Sequence, residues 1–104
     1  MNRYSVIMVI FDLCMMTANG RREYRSFRKY LISSGYKFIQ ESVYVKLIRN
    51  VSSCESEIRA INYEAPGEGS VIAIPMTLND FKSIRFLRGD KFDFVQFSDS
   101  VVIF

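Results

Sequence analysis

The chain contains no histidine, and that absence excludes more chemistry than any residue present proposes. A Ser-His-Asp triad, a Cys-His nucleophile pair and an imidazole-based zinc site are all ruled out within it. Cysteine is nearly as scarce. Cys14 and Cys54 are the only two and are not closely spaced, too few for a structural zinc site; reduced thiols are expected, with a disulfide left open. A metal would therefore take oxygen ligands, which selects a hard cation such as magnesium, manganese or calcium. Also missing are a run of about 18 apolar residues and the basic region, apolar stretch and cleavage site of a signal peptide. No membrane span and a cytoplasmic location are expected.

With 104 residues and 49% hydrophobic content, the chain reads as one domain over 1–104, large enough for a single core. The stretch Tyr4 to Asp12 is an apolar run of Val, Ile, Met and Phe that ends in one carboxylate. It is too short for a membrane span and reads as a buried strand with an acid at its tip. An acid there sits at the rim of a sheet, held rigidly and still within reach of solvent, so Asp12 is the first candidate for chemistry. The bland alternative is that it caps a turn or pairs with a nearby Arg.

The net charge is only +3, but residues 20–29 hold Arg21, Arg22, Arg25, Arg28 and Lys29 against Glu23 alone. That segment is therefore +4 and the rest of the chain −1. So concentrated a patch predicts a polyanion partner, with a solvated helix face as the alternative. Thr17 to Gly20 reads as a loop and Arg21 to Ser34 as a helix, closed by Gly35 as a C-cap. Tyr24, Phe27 and Leu31 form its apolar stripe. Arg21, Arg22, Arg25 and Lys29 project outward together, while Arg28 borders the buried stripe and suits a structural ion pair.

From Tyr36 to Ile48 the chain alternates: Ile39, Val43, Val45 and Leu47 share one parity, and Phe38, Gln40, Ser42, Tyr44 and Lys46 the other. This is a long strand or a bent pair with one face in the core. Glu41, on the apolar parity, points to a bulge or kink near Glu41 and Ser42, or to a strand passing from a covered to an open part of the sheet. Ser52 with Glu55 reads as a capping box for a helix through about Tyr63. Ala65 to Gly69 is a turn, and Ser70 to Met76 a strand whose Pro75 places it at an edge or end. Thr77 and Asp80 open a short helix through Ile84, and Arg85 to Leu87 reads as a further strand.

The order is close to βαββαβ, which in an α+β chain of this length is the ferredoxin-like arrangement. The tail does not fit a self-contained monomer: Phe92, Phe94 and Phe97 are followed by Val101, Val102, Ile103 and Phe104. An apolar C-terminal strand over about 92–104 is expected to pack on a partner's sheet in a two-fold homodimer, or else on an edge of its own. A dimer would also change the metal arithmetic. One Asp holds magnesium poorly, whereas Asp12 of both protomers, facing across the axis, would hold one ion and activate water against a phosphodiester. The basic helix would neutralise phosphates without reading bases, and duplex backbone contact is favoured over single-strand stacking, since Tyr24 and Phe27 are needed for the core.

The strand ending MVIFDL (Met8 to Leu13), the helix RREYRSFRKYLISSGY (Arg21 to Tyr36), QESVY (Gln40 to Tyr44), PGEGSV (Pro66 to Val71) and MTLNDF (Met76 to Phe81) together resemble the CRISPR-associated Cas2 family of spacer acquisition, in particular its type II-A branch. The resemblance covers nearly the whole chain. It implies a ferredoxin-like homodimer that bridges CRISPR integrase subunits and holds duplex prespacer DNA on a basic surface. It also implies Asp12 as the catalytic and metal-binding residue of a magnesium- or manganese-dependent endonuclease, a hydrolase of RNA or DNA. Leu13, Cys14, Met15 and Met16 stand where many relatives of that branch have a small turn and Pro, and an apolar loop there would shield Asp12 or pack against a partner.

Overall fold

Strand β1 (Ser5–Asp12) lies inside a four-stranded antiparallel sheet, with β3 (Val43–Ile48) on one side and β4 (Ser70–Thr77) on the other. Both ladders run nearly its full length, pairing Val6 with Leu47 and Met76, and Ile10 with Val43 and Ile72. An uninterrupted apolar run is what such a position requires, because side chains leave both faces of the strand and each face must be covered. The computed structural model describes residues 4–90, 92, 93, 96 and 97.

On one face Ile7, Val9 and Phe11 meet helix α1 (Ala18–Ser33) and helix α2 (Cys54–Glu64). Phe27 and Leu31 of α1 are buried there, as the apolar stripe requires. Burial of each contributes about 1.5–3 kcal/mol. Phe11 anchors an aromatic cluster, with ring centroids 5.1 Å from Phe27, 5.4 Å from Tyr24 and 5.9 Å from Tyr44. On the opposite face Val6 and Val45 pack against Phe81 of the short helix α3 (Leu78–Lys82) and against Phe97. Both faces of the 36–48 segment thus carry core, Tyr44 and Ile48 on one side and Val45 on the other.

The strand order β2-β3-β1-β4 completes the ferredoxin-like arrangement, with β2 (Lys37–Gln40) at one edge and β4 at the other. Pro75 lies in edge strand β4, where a residue without an N–H is tolerated. The 36–48 segment is a bent pair: β2 and β3 form a hairpin that turns at Glu41 and Ser42, Ser42 has φ 66°, and the register shifts between Phe38 and Gln40. The misplaced Glu41 marks this turn. Gly35, at φ 96°, closes α1 while the Tyr36 N–H reaches the Leu31 carbonyl at 2.9 Å, a Schellman arrangement that needs a left-handed residue.

Three local expectations are corrected. Helix α1 starts at Ala18 rather than Arg21, because Thr17 is its N-cap and accepts from the Gly20 N–H at 2.9 Å. The capping box of Ser52 and Glu55 does not form: Ser52 bonds Asn50 through both its N–H and its hydroxyl, and a 3-10 turn (Val51–Ser53) leads into α2. Arg85 to Leu87 is irregular chain rather than a strand. Most of the expected C-terminal strand over 92–104 lies outside the described residues. Of those described, Phe92 and Phe97 pack on Phe81 of the same chain, and Gln96 and Phe97 are helical, the Phe97 N–H bonding the Asp93 carbonyl at 3.1 Å.

Candidate nucleic-acid interface and strand-end acid

Asp12 is the last residue of β1, paired in register with Ser70 of β4. Phe11 before it and Leu13 after it are both buried, so the backbone is clamped on either side of an exposed carboxylate. Two glycines make that clamp possible. A Cβ on Gly69 would lie 2.7 Å from Leu13 Cδ2 and 2.8 Å from the Asp12 carbonyl oxygen, and a Cβ on Gly20 would lie 1.8 Å from the Cys14 carbonyl oxygen. The loop after Asp12 therefore runs tightly between the start of α1 and the turn before β4.

The segment Leu13 to Met16 does not cover the acid. Leu13 turns into the core, while Cys14, Met15 and Met16 are exposed, Met16 to 89%. The Asp12 carboxylate makes no hydrogen bond or ion pair with any described residue. Among the described residues it neither caps a turn nor pairs with Arg. Its oxygens suit a hard cation, but a single carboxylate does not make a site, and among the described residues no group of three or more His, Cys, Asp or Glu side chains is placed to hold a metal.

Arg21, Arg22, Arg25, Arg28 and Lys29 are all exposed on α1. At about 100° per residue they fall within an arc of about 120°, apart from the narrower arc of Tyr24, Phe27 and Leu31. The N-cap and the apolar stripe therefore fix where the basic face points. Arg21 also donates from a terminal guanidinium nitrogen to the Met15 carbonyl at 2.9 Å, tying the basic face to the loop after Asp12. Glu23 is held away from the bases by Asn19, whose amide donates to it at 2.7 Å. Arg28 is not in an ion pair with any described residue. Its Nε donates to the Tyr44 hydroxyl at 3.0 Å. The sequence reading missed that Tyr44 tie, since nothing in the alternation of β3 says which hydroxyl reaches the helix above it.

These elements define a small ferredoxin-like α+β domain with one reachable acid at the tip of its central strand and a basic face on its first helix. The family model described as CRISPR associated protein Cas2 matches residues 5–84, which spans β1 to β4 and α1 to α3. The chain belongs to that family. It is 40% identical over 85 residues to the CRISPR-associated endoribonuclease Cas2 of Ligilactobacillus salivarius, covering 82% of this chain and 84% of that one. It is also similar to the proteins of the same description from Treponema denticola, 33% identical over 98 residues with 93% and 97% covered, and Streptococcus mutans, 33% identical over 98 residues with 94% and 92% covered. Among the described residues no helix is long and apolar enough to cross a membrane.

Proposed function

We propose that this chain acts in CRISPR spacer acquisition as a homodimeric scaffold that holds duplex prespacer DNA on the basic face of α1 and bridges integrase subunits. The carrying observation is that Arg21, Arg22, Arg25, Arg28 and Lys29 are exposed together on one helix whose opposite stripe is buried. Cations so grouped neutralise successive phosphates without reading bases, so affinity falls steeply with salt and hardly depends on sequence. The dimer is supported by the sheet face opposite α1 and α2. There Ile72 and Ile74 are 51% and 37% exposed beside half-buried Met8 and Ile10, an apolar surface two strands wide. In the double variant Arg22→Glu/Arg25→Glu, duplex binding at low salt should be lost while circular dichroism stays native. Unchanged affinity would refute the assignment of this face.

A second reading is favoured by the exposure of Asp12 and by the description of the relatives as endoribonucleases. Here Asp12 is the catalytic residue of a metal-dependent phosphodiester endonuclease. A two-fold related copy would supply the second carboxylate that one chain lacks, and magnesium or manganese would lie between them. The chemistry such a cation supplies is activation of water. The contribution of this chain is to hold Asp12 rigidly between buried Phe11 and Leu13 with its oxygens open to solvent. Cleavage of RNA or DNA should then require added metal and vanish in Asp12→Asn; equal cutting by that variant would exclude it.

A further inference from the structure

Among the described residues Phe38 is the one aromatic side chain on the helix-covered face of the sheet that stays largely exposed, at 58%. It stands on edge strand β2, in register with Tyr44 of β3, and meets the Tyr44 ring edge-on with centroids 5.7 Å apart and an interplanar angle of 75°. Tyr44 is itself 1% exposed, held in the core by Phe11 and Phe27. Its hydroxyl emerges at the border of the basic arc and accepts from Arg28 Nε at 3.0 Å. One rigid residue thus fixes both an exposed aromatic ring and a guanidinium. Because Arg28 donates through Nε, its two terminal NH2 groups are left without a partner among the described residues, the fork that grips a phosphate through two parallel bonds.

We propose that Phe38, Tyr44 and Arg28 form a site for one unpaired nucleotide at the margin of the basic helix, with the base stacked on Phe38 and its phosphate on Arg28. Tyr44 is a positioning residue: it braces the ring and orients the guanidinium without touching the ligand. Charge and ring face together select this occupant. A base inside a duplex has both faces covered by its neighbours, so only an overhanging, frayed or single-stranded base can lie on Phe38. A second copy of the chain is a poorer fit, because the broad apolar surface lies on the opposite face of the sheet while Phe38 adjoins Tyr44, whose hydroxyl holds the Arg28 guanidinium. The proposal rests on the nucleic-acid reading of the α1 face but asks more of it, since phosphate contacts alone do not distinguish paired from unpaired strands.

The test compares a blunt DNA duplex with the same duplex carrying a short single-stranded overhang, the overhang being DNA, RNA or abasic, in fluorescence anisotropy at fixed salt. The wild-type chain should bind the overhang form on the order of tenfold more tightly than the blunt form, the usual worth of one base on an aromatic face. Phe38→Ala, at an exposed position, should abolish that gain and leave blunt-duplex affinity unchanged, and the abasic overhang should mimic it in the wild type. Arg28→Gln should weaken every form and lower the salt slope by about one. Tyr44→Phe should lose part of the gain at an unchanged slope, because Arg28 keeps its charge and loses only its orientation. A gain with DNA, RNA or both supports the site and identifies its source. A gain with neither, or one retained in Phe38→Ala, overturns it. Loss of blunt-duplex binding in Arg22→Glu/Arg25→Glu with a neutral Phe38→Ala leaves the scaffold standing without this site. The reverse pattern leaves the site without the scaffold.

Discussion

The Lys46 ammonium lies 3.1 Å from a Glu57 carboxylate oxygen and joins β3 to α2 through a pair whose side chains are 26% and 27% exposed. The same oxygen accepts from the Tyr36 hydroxyl at 3.1 Å, and Lys46 also stands over the Tyr36 ring, 5.5 Å from its centroid. Glu57 therefore serves two donors from the segment that follows α1. It was not legible as a structural residue, because its partners lie eleven and twenty-one positions away in sequence.

Alkaline stability should expose this arrangement. Burial raises the Tyr36 hydroxyl above the ordinary value of 10.0, and the Glu57 carboxylate, by its charge and by accepting the hydroxyl's bond, raises it further. A raised native pKa means that the unfolded chain releases this proton first. The contribution is therefore intact below pH 10 and declines as pH climbs above it, by up to about 1.4 kcal/mol per pH unit. Urea titrations from pH 8 to 11 should show a shallower alkaline decline in Tyr36→Phe. Parallel profiles for the two proteins would contradict it.

Glu57→Gln and Glu57→Ala separate charge from hydrogen bonding. Glutamine keeps an oxygen for Tyr36 and loses the ion pair, which at this partial exposure is worth about 1 kcal/mol or less. Alanine also strands a buried hydroxyl, at a further cost of about 1–3 kcal/mol. Denaturant midpoints should rank wild type above Gln and Gln above Ala. Equal midpoints for the two variants would mean that Tyr36 finds another acceptor.

The clamp around Asp12 predicts a split among the glycines. Gly69→Ala meets both a left-handed φ of 89° and the Leu13 side chain, and Gly20→Ala meets the Cys14 carbonyl. Each should cost about 1–3 kcal/mol and shift the amide resonances of residues 12–14. Nothing lies within 4 Å of a Cβ on Gly67, so Gly67→Ala serves as the neutral comparison. A destabilised Gly67→Ala, or a silent Gly69→Ala, would contradict this account of the loop.

Much of the fold could be read wherever one periodicity held over a whole element. The apolar run to Asp12, the stripe of Tyr24, Phe27 and Leu31, and the Thr77 cap were all visible, and the cap is formed by the Asp80 N–H at 3.0 Å. Reading failed where a side chain had two partners to choose from. Ser52 takes Asn50 instead of a helix N–H, and Arg28 takes a tyrosine instead of a carboxylate. Alternation along β3 was also misleading about the core, since it marks two faces and here each is covered. Exposure of Asp12 was legible from its place at a strand end. Exposure of Phe38 was not, because it depends on how far α1 reaches toward the sheet edge.

The open face of the sheet carries the last prediction. Ile72 and Ile74 pair across the ladder with Ile10 and Met8, so four apolar side chains share one face; Met8 packs against the cluster of Val6, Phe81 and Phe97, and Ile10, Ile72 and Ile74 lie outside that cluster. Burying such a surface against a second copy would remove it from water at about 25 cal/mol per Å², and one carboxylate inside the contact would cost several kcal/mol unless paired. Sedimentation equilibrium at micromolar concentration should therefore find a dimer for the wild type and a folded monomer for Ile72→Asp/Ile74→Asp. Both residues are partly exposed within the chain, so the variant keeps its own core. A monomeric wild type would remove the pairing of Asp12 across a two-fold axis, and a dimer unaffected by two new charges would remove this face from the association.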